Sequence, residues 1–131
     1  MNRLFLVTLL LLLCSGPGYA EWVEVGSPEG GARTTYADLD TVRRKGGLVK
    51  MWVLHDEAAI RTDAGKPFWS SKALMEYNCT EEQARVLAEY AYAGQMGNGE
   101  IVYSRTDPYK WEPVMPGSIG HGMWKVACGK Q

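Results

Sequence analysis

Histidine and cysteine are scarce in this chain of 131 residues: His55 and His121 are its only imidazoles, and Cys14, Cys79 and Cys128 its only thiols. There is no C-x-x-C, and two thiols without nearby histidines do not make a zinc site. An excess of charge of either sign is also missing, since 14 basic and 15 acidic residues leave a formal net charge of -1. A chain so near neutrality has no electrostatic footprint for nucleic acid. Phosphate and dinucleotide signatures are absent. Gly97-Asn98-Gly99 lacks the third glycine and following helix of a dinucleotide site, and Gly65-Lys66-Pro67 lacks the upstream glycine and hydroxyl residue of a phosphate loop. No nucleophile pattern, internal repeat or second domain is visible, so no catalytic residues are assigned.

Only one long apolar run exists, and it stands at the start. Arg3 precedes Leu4 to Leu13, which is broken only by Thr8 and followed by Gly16 and Pro17. At ~1.5 Å per residue this run spans roughly half of a ~30 Å hydrocarbon core. That suits a secretory leader, and Gly18-Tyr19-Ala20 supplies the small residues of a cleavage site. Residues 1–20 are therefore expected to be a cleaved signal peptide, with residues 21–131 as a single domain. Cys14 raises lipidation as an alternative, but Leu13 stands where that processing wants a small residue. A periplasmic or secreted protein is the expectation over a lipid-anchored one. Loss of the leader removes Arg3 and no acid, so the charge moves from -1 to -2. No transmembrane segment is expected in the mature chain.

With Cys14 removed, Cys79 and Cys128 are an even pair in an exported protein and read as one disulfide. Closing a loop of about fifty residues contributes roughly 4 kcal/mol in the chain-entropy picture.

Residues 22–25 alternate as a strand, and Thr34 to Asp38 start a second. Val42 to Lys45 lead into Gly46-Gly47, which can supply the positive φ angles of a hairpin turn. Leu48 to His55 is the strongest strand, with Val49, Met51 and Val53 on one face and Leu48, Lys50, Trp52 and Leu54 on the other. Both faces are largely apolar, which predicts a central strand covered on both sides at least in part. Asp56 to Pro67 reads as a loop, and Phe68 to Cys79 as a strand directing Cys79 to the core. Thr80 to Ala93 is ambiguous: capping-box and helical spacing favour a helix locally, whereas Ala84, Val86, Ala88, Tyr90 and Tyr92 alternate as a strand. Glu100 to Ser104 is a short strand with Ile101 and Tyr103 on one face. Arg105 to Pro116 is an irregular arm, and Ser118 caps a helix running to Cys128. Gly120 and Gly122 weaken that helix by ~1 kcal/mol each relative to alanine, which a tether at Cys128 would offset.

The candidate ligand residues are few. His55 at the end of the central strand and His121 in the first helical turn are the groups able to handle haem or metal, and the topology lets them approach each other. Trp22, Trp52, Trp69 and Trp124 fall where sheet and helix pack, so core filling is their default. Trp111, among prolines, is the aromatic placed to meet a partner. Arg43, Arg44 and Lys45 read as an exposed hairpin edge.

The chain resembles the surface-adhesin protein E family of Gram-negative bacteria. The resemblance runs through WVEV at Trp22 to Val25, TTYADLDTVRRKGGLVKMWVLHD at Thr34 to Asp56, the SSK and EYNC stretches, GQMGNGEIVYS at Gly94 to Ser104, and WEPVMPGSIGHGMWKVACGK at the end. It implies an α+β fold: a mainly antiparallel sheet of about six strands, a C-terminal α-helix packed on it and a Cys79 to Cys128 disulfide between them. It also implies that Thr80 to Ala93 is mainly strand. The expected function is an exported, non-enzymatic envelope protein acting as a binding module, with host matrix or envelope proteins as partners, no cofactor, and homodimers within reach. The alternatives are a soluble periplasmic structural or stress-related protein and a haem- or metal-handling one.

Overall fold

A computed structural model describes residues 21–27, 31–62 and 65–130. The predicted leader and Cys14 lie outside the described residues. Strands β1 (Trp22–Gly26), β2 (Arg33–Lys45), β3 (Leu48–Arg61), β4 (Phe68–Asn78), β5 (Gln83–Tyr92) and β6 (Ile101–Arg105) are followed by a two-residue strand β7 (Glu112–Pro113) and helix α1 (Ile119–Cys128). The six longer strands lie side by side in chain order, each antiparallel to the next, and β7 adds to β5. The fold is the expected α+β arrangement of antiparallel sheet and C-terminal helix.

Local chemistry explains the turns. Gly46 takes φ +61° between β2 and β3, a value open to glycine at little cost. Between β4 and β5 the Asn78 side chain accepts the backbone N–H groups of Thr80 at 3.0 Å and Glu81 at 3.1 Å. Thr80 therefore sits in an Asx-type turn and caps no helix. Residues 83–92 are strand despite their helical propensity, because ladders to β4 and β6 satisfy the backbone on both sides. A bulge at Leu87 places Ala84, Val86, Glu89 and Ala91 on one face, a mixed spacing that imitates helical periodicity.

Two sequence expectations are corrected. Residues 56–61 continue β3 and are not loop, held there by Glu57, 2% exposed, which accepts Arg33 Nε at 2.9 Å and meets Arg61 at 3.7 Å. Ile101 and Tyr103 do not share a face, because a register shift pairs Tyr92 with Ile101 but Ala91 with Tyr103.

Helix α1 covers one face of the sheet. Ala37, Val49, Met51, Val53, Ala73 and Tyr77 form the sheet side of the core, against Met123, Trp124, Ala127 and Cys128 of the helix. Ser118 Oγ accepts His121 N–H at 3.1 Å as the N-cap, and Gly129 ends the helix at φ +67°. Trp124 buries its rings and donates Nε1–H to the carbonyl of Asn78 at 2.9 Å. The Cys79–Cys128 disulfide is formed, with Cα atoms 5.7 Å apart. Of the four tryptophans assigned to packing, only Trp124 is fully buried; Trp22, Trp52 and Trp69 are half-buried. Trp22 and Trp52 stand on the face that the helix leaves uncovered.

Candidate functional site

On the helix side, β5 extends beyond the reach of α1, and the arm from β6 to the helix closes over it. Apart from the two residues of β7 the arm is irregular, in keeping with prolines at 108, 113 and 116. Backbone bonds fix it: Tyr109 N–H to the Val86 carbonyl at 2.8 Å and Val114 N–H to the Glu82 carbonyl at 2.9 Å. Tyr109 Oη–H also reaches Glu89 at 2.5 Å, a hydrogen bond that, with burial, pushes the phenol up to about 12.

Between the arm, the sheet and the start of α1 lies a cavity of about 810 Å3. Val53, Met75 and Val86 line it from the sheet, Tyr109 and Met115 from the arm, and Met123 from the helix. The volume falls within the ~300–1,000 Å3 of small-ligand sites, and the lining is mainly apolar, with Arg85, Arg105, Lys110 and Glu112 as its charged groups. A second cavity of about 560 Å3, lined by Arg33, Ser71, Glu89 and Tyr103, shares His55 with the first. The two cavities adjoin at His55 on the helix-side face and are together termed the trough.

His55 thus lies where the trough changes from apolar to polar. Its Nδ1 is 3.0 Å from Thr35 Oγ1, and burial, assisted by the Arg33 charge, lowers its pKa to about 4. The ring is neutral at physiological pH. His121 is elsewhere: its Nδ1 accepts Gly117 N–H at 3.4 Å and its ring stacks on Trp124 at 5.8 Å. Each histidine has its own partners, and no contact joins them. Among the described residues no group of three or more His, Cys, Asp or Glu could hold a metal ion. Trp111 is half-buried, with the Arg85 guanidinium 4.6 Å from its ring centre and Arg85 itself held by Glu76 at 2.7 Å.

Sequence reasoning missed the uncovered face. Trp22, Trp52, Tyr90 and Tyr92 surround Lys72 there, in a cavity of about 450 Å3 completed by Asp38, Thr41 and Ile101. Its signal was the alternation of β3, which sets Trp52 opposite the Val49, Met51 and Val53 row.

The sequence model of the surface-adhesin protein E family matches residues 22–129. The chain belongs to this family. Among solved structures it is similar to Haemophilus influenzae protein E in crystal form II, with TM-score 0.66 and 9% identity over 86% of this chain and 91% of that one. A further structure of Haemophilus influenzae protein E aligns with TM-score 0.61 and 10% identity, covering 88% of this chain and 90% of that one. Protein E from non-typeable Haemophilus influenzae aligns with TM-score 0.53, 10% identity and coverage of 85% and 86%. At such identities the likeness is one of fold. No curated protein matches the sequence. The described residues are thus a protein E-like adhesin domain, and among them no helix is long and apolar enough to cross a membrane.

Proposed function

We propose that the chain is an exported, non-enzymatic envelope protein that binds a host matrix or envelope protein through the helix-side trough. The family match across residues 22–129 carries this reading, because it extends over nearly the whole domain. The trough supports it: an apolar concavity between fixed walls accepts apolar side chains of a partner, and such buried anchors supply most interface energy. Export is in keeping with the Cys79–Cys128 bond. Met115, 67% exposed, is the residue to alter, since it lines the trough without supporting the fold. Mature protein with its disulfide intact is expected to bind one or more immobilised extracellular-matrix proteins, and Met115→Glu to weaken that binding at least tenfold. Binding that the variant leaves unchanged removes the trough as the seat. Cell fractionation is the companion test. Protein confined to the soluble periplasm ends surface adhesion and favours the structural or stress-related alternative.

The placement of His55 favours a second reading as a haem-handling protein. A neutral imidazole on the wall of an apolar cavity has the protonation state that axial ligation needs. Titration of haem into the mature protein, with no saturable change in the haem absorption band, ends that reading.

A further inference from the structure

We propose that the helix-free face of the sheet carries a second binding site, for an acidic sugar unit, built from the Lys72 ammonium set among Trp22, Trp52, Tyr90 and Tyr92. It is independent of the trough, which lies on the opposite face.

Lys72 lies within reach of two aromatic rings. Its Nζ is 5.8 Å from the Trp22 ring centre and 5.1 Å from that of Tyr92, and it makes no ion pair among the described residues. Its stem lies against Gly97, where a Cβ would come within 2.4 Å of Lys72 Cε and where φ is +73°. Only glycine suits that position while the lysine occupies its present path. The 3-10 turn Gln95–Gly97 is itself clamped to this face. Gly97 N–H donates to Ser70 Oγ at 2.8 Å, Ser70 Oγ–H donates to the Gly94 carbonyl at 2.6 Å, and Met96 N–H donates to Asp56 at 2.7 Å. The turn is thus held to this face, and the Lys72 stem runs along it towards the Trp22 and Tyr92 rings.

Aromatic rings draw an ammonium but do not cancel its charge. A ligand carboxylate would give Lys72 the ion-pair partner it lacks among the described residues, although Asp38 lines the same cavity. Around it the rings of Trp52 and Tyr90, centres 6.2 Å apart and tilted by 33°, offer half-buried apolar surface for the C–H faces of a pyranose. Asp38 supplies a hydroxyl acceptor: one carboxylate oxygen takes Asp40 N–H at 3.1 Å, and the other makes no hydrogen bond among the described residues. Thr41 holds the register shift of β2 between Asp38 and Arg43, donating to the Asp38 carbonyl at 2.6 Å and accepting Trp52 N–H at 3.0 Å. A stacking surface, one cation and one acceptor together match a hexuronic acid or a similar sugar acid. A lipid chain would leave Asp38 unused, and a neutral sugar would leave Lys72 unused.

The test uses mature, disulfide-bonded protein and two probes: a glucuronate-containing tetrasaccharide and the same tetrasaccharide with its carboxylates reduced to alcohols. Calorimetry and tryptophan fluorescence read binding. The acidic probe is expected to saturate and to bind at least tenfold more tightly than the reduced one. Lys72→Met keeps the stem and should abolish that preference, Trp52→Ala should weaken both probes, and Gly97→Ala should weaken the acidic probe by displacing the lysine. Met115→Glu on the opposite face should change neither, which separates this site from the trough. Circular dichroism and thiol titration establish that each variant is folded and oxidised. Equal affinity for both probes, no saturable binding of either, or an unchanged preference in Lys72→Met overturns the proposal. Displacement of the acidic probe by an acidic tetrapeptide at equal concentration overturns the sugar assignment.

Discussion

His55 turns burial into a pH dependence. Its folded pKa of about 4 lies below the ordinary value of 6.5, so between these values the unfolded chain holds a proton that the folded chain refuses. The folded state is fully favoured above pH 6.5 and loses that advantage as pH falls towards 4. The slope for one group cannot exceed about 1.4 kcal/mol per pH unit. Wild type is expected to lose about 2 kcal/mol more than His55→Gln between pH 6.5 and 4.5, read from urea midpoints at each pH. Parallel profiles for the two proteins would show that His55 titrates normally. Gly97 makes a second residue-scale case. Its φ of +73° and its contact with the Lys72 stem mean that Gly97→Ala should cost about 1 to 2 kcal/mol, measured by thermal unfolding.

Helix α1 is held by its packing and by its last residue more than by its own propensity. The disulfide spans a sequence separation of 49, and removing it with Cys128→Ser is expected to cost a few kcal/mol by the loop-entropy argument. An unchanged denaturation midpoint would contradict the tether. Within the helix the loss can be partly recovered. A Cβ at Gly122 would meet Val25 Cγ1 at 3.5 Å, ordinary contact, so Gly122→Ala should gain up to about 1 kcal/mol of helix propensity without a clash. The helix and its cap at Ser118 were readable because they are local signals, and the partner cysteine because only Cys79 remains for Cys128 once the leader is removed. Strand β5 was not readable from its residues. Its strand state depends on ladders to β4 and β6, which local propensity does not register, and its bulge at Leu87 blurs the period on which the reading depends.

Across the whole molecule, register decided what the sequence could show. The β2–β3 hairpin and the row Val49, Met51 and Val53 followed from the turn glycines and periodicity, whereas the antiparallel sheet followed from the family resemblance. The bulges between Asp38 and Arg43, Leu74 and Met75, and Ala91 and Tyr92 change which side chains share a face, and no composition signal marks them. The assignment of Trp22 and Trp52 to the core failed for another reason. Unbroken pairing of Trp22 with Asp38 and of Asp38 with Trp52 puts both on the helix-free face, which their size alone does not identify, and the Lys72 site was hidden with them. Cohesion should be graded in the same way. Val49, Met51 and Leu54 are fully buried in β3, at the centre of the sheet, whereas residues 105–108 are exposed. Hydrogen exchange is expected to be slowest in β2 to β4 and fastest in the arm, and uniform exchange across the domain would refute this grading. The disulfide also governs how the domain bears load. When the chain is stretched between its ends, tension passes from Cys79 directly to Cys128, so residues 80–127 lie in a closed covalent loop that the pull cannot lengthen. The arm that walls the trough and all of β5 fall inside that loop, which leaves the trough-forming arm mechanically shielded while β1 to β4 take the strain.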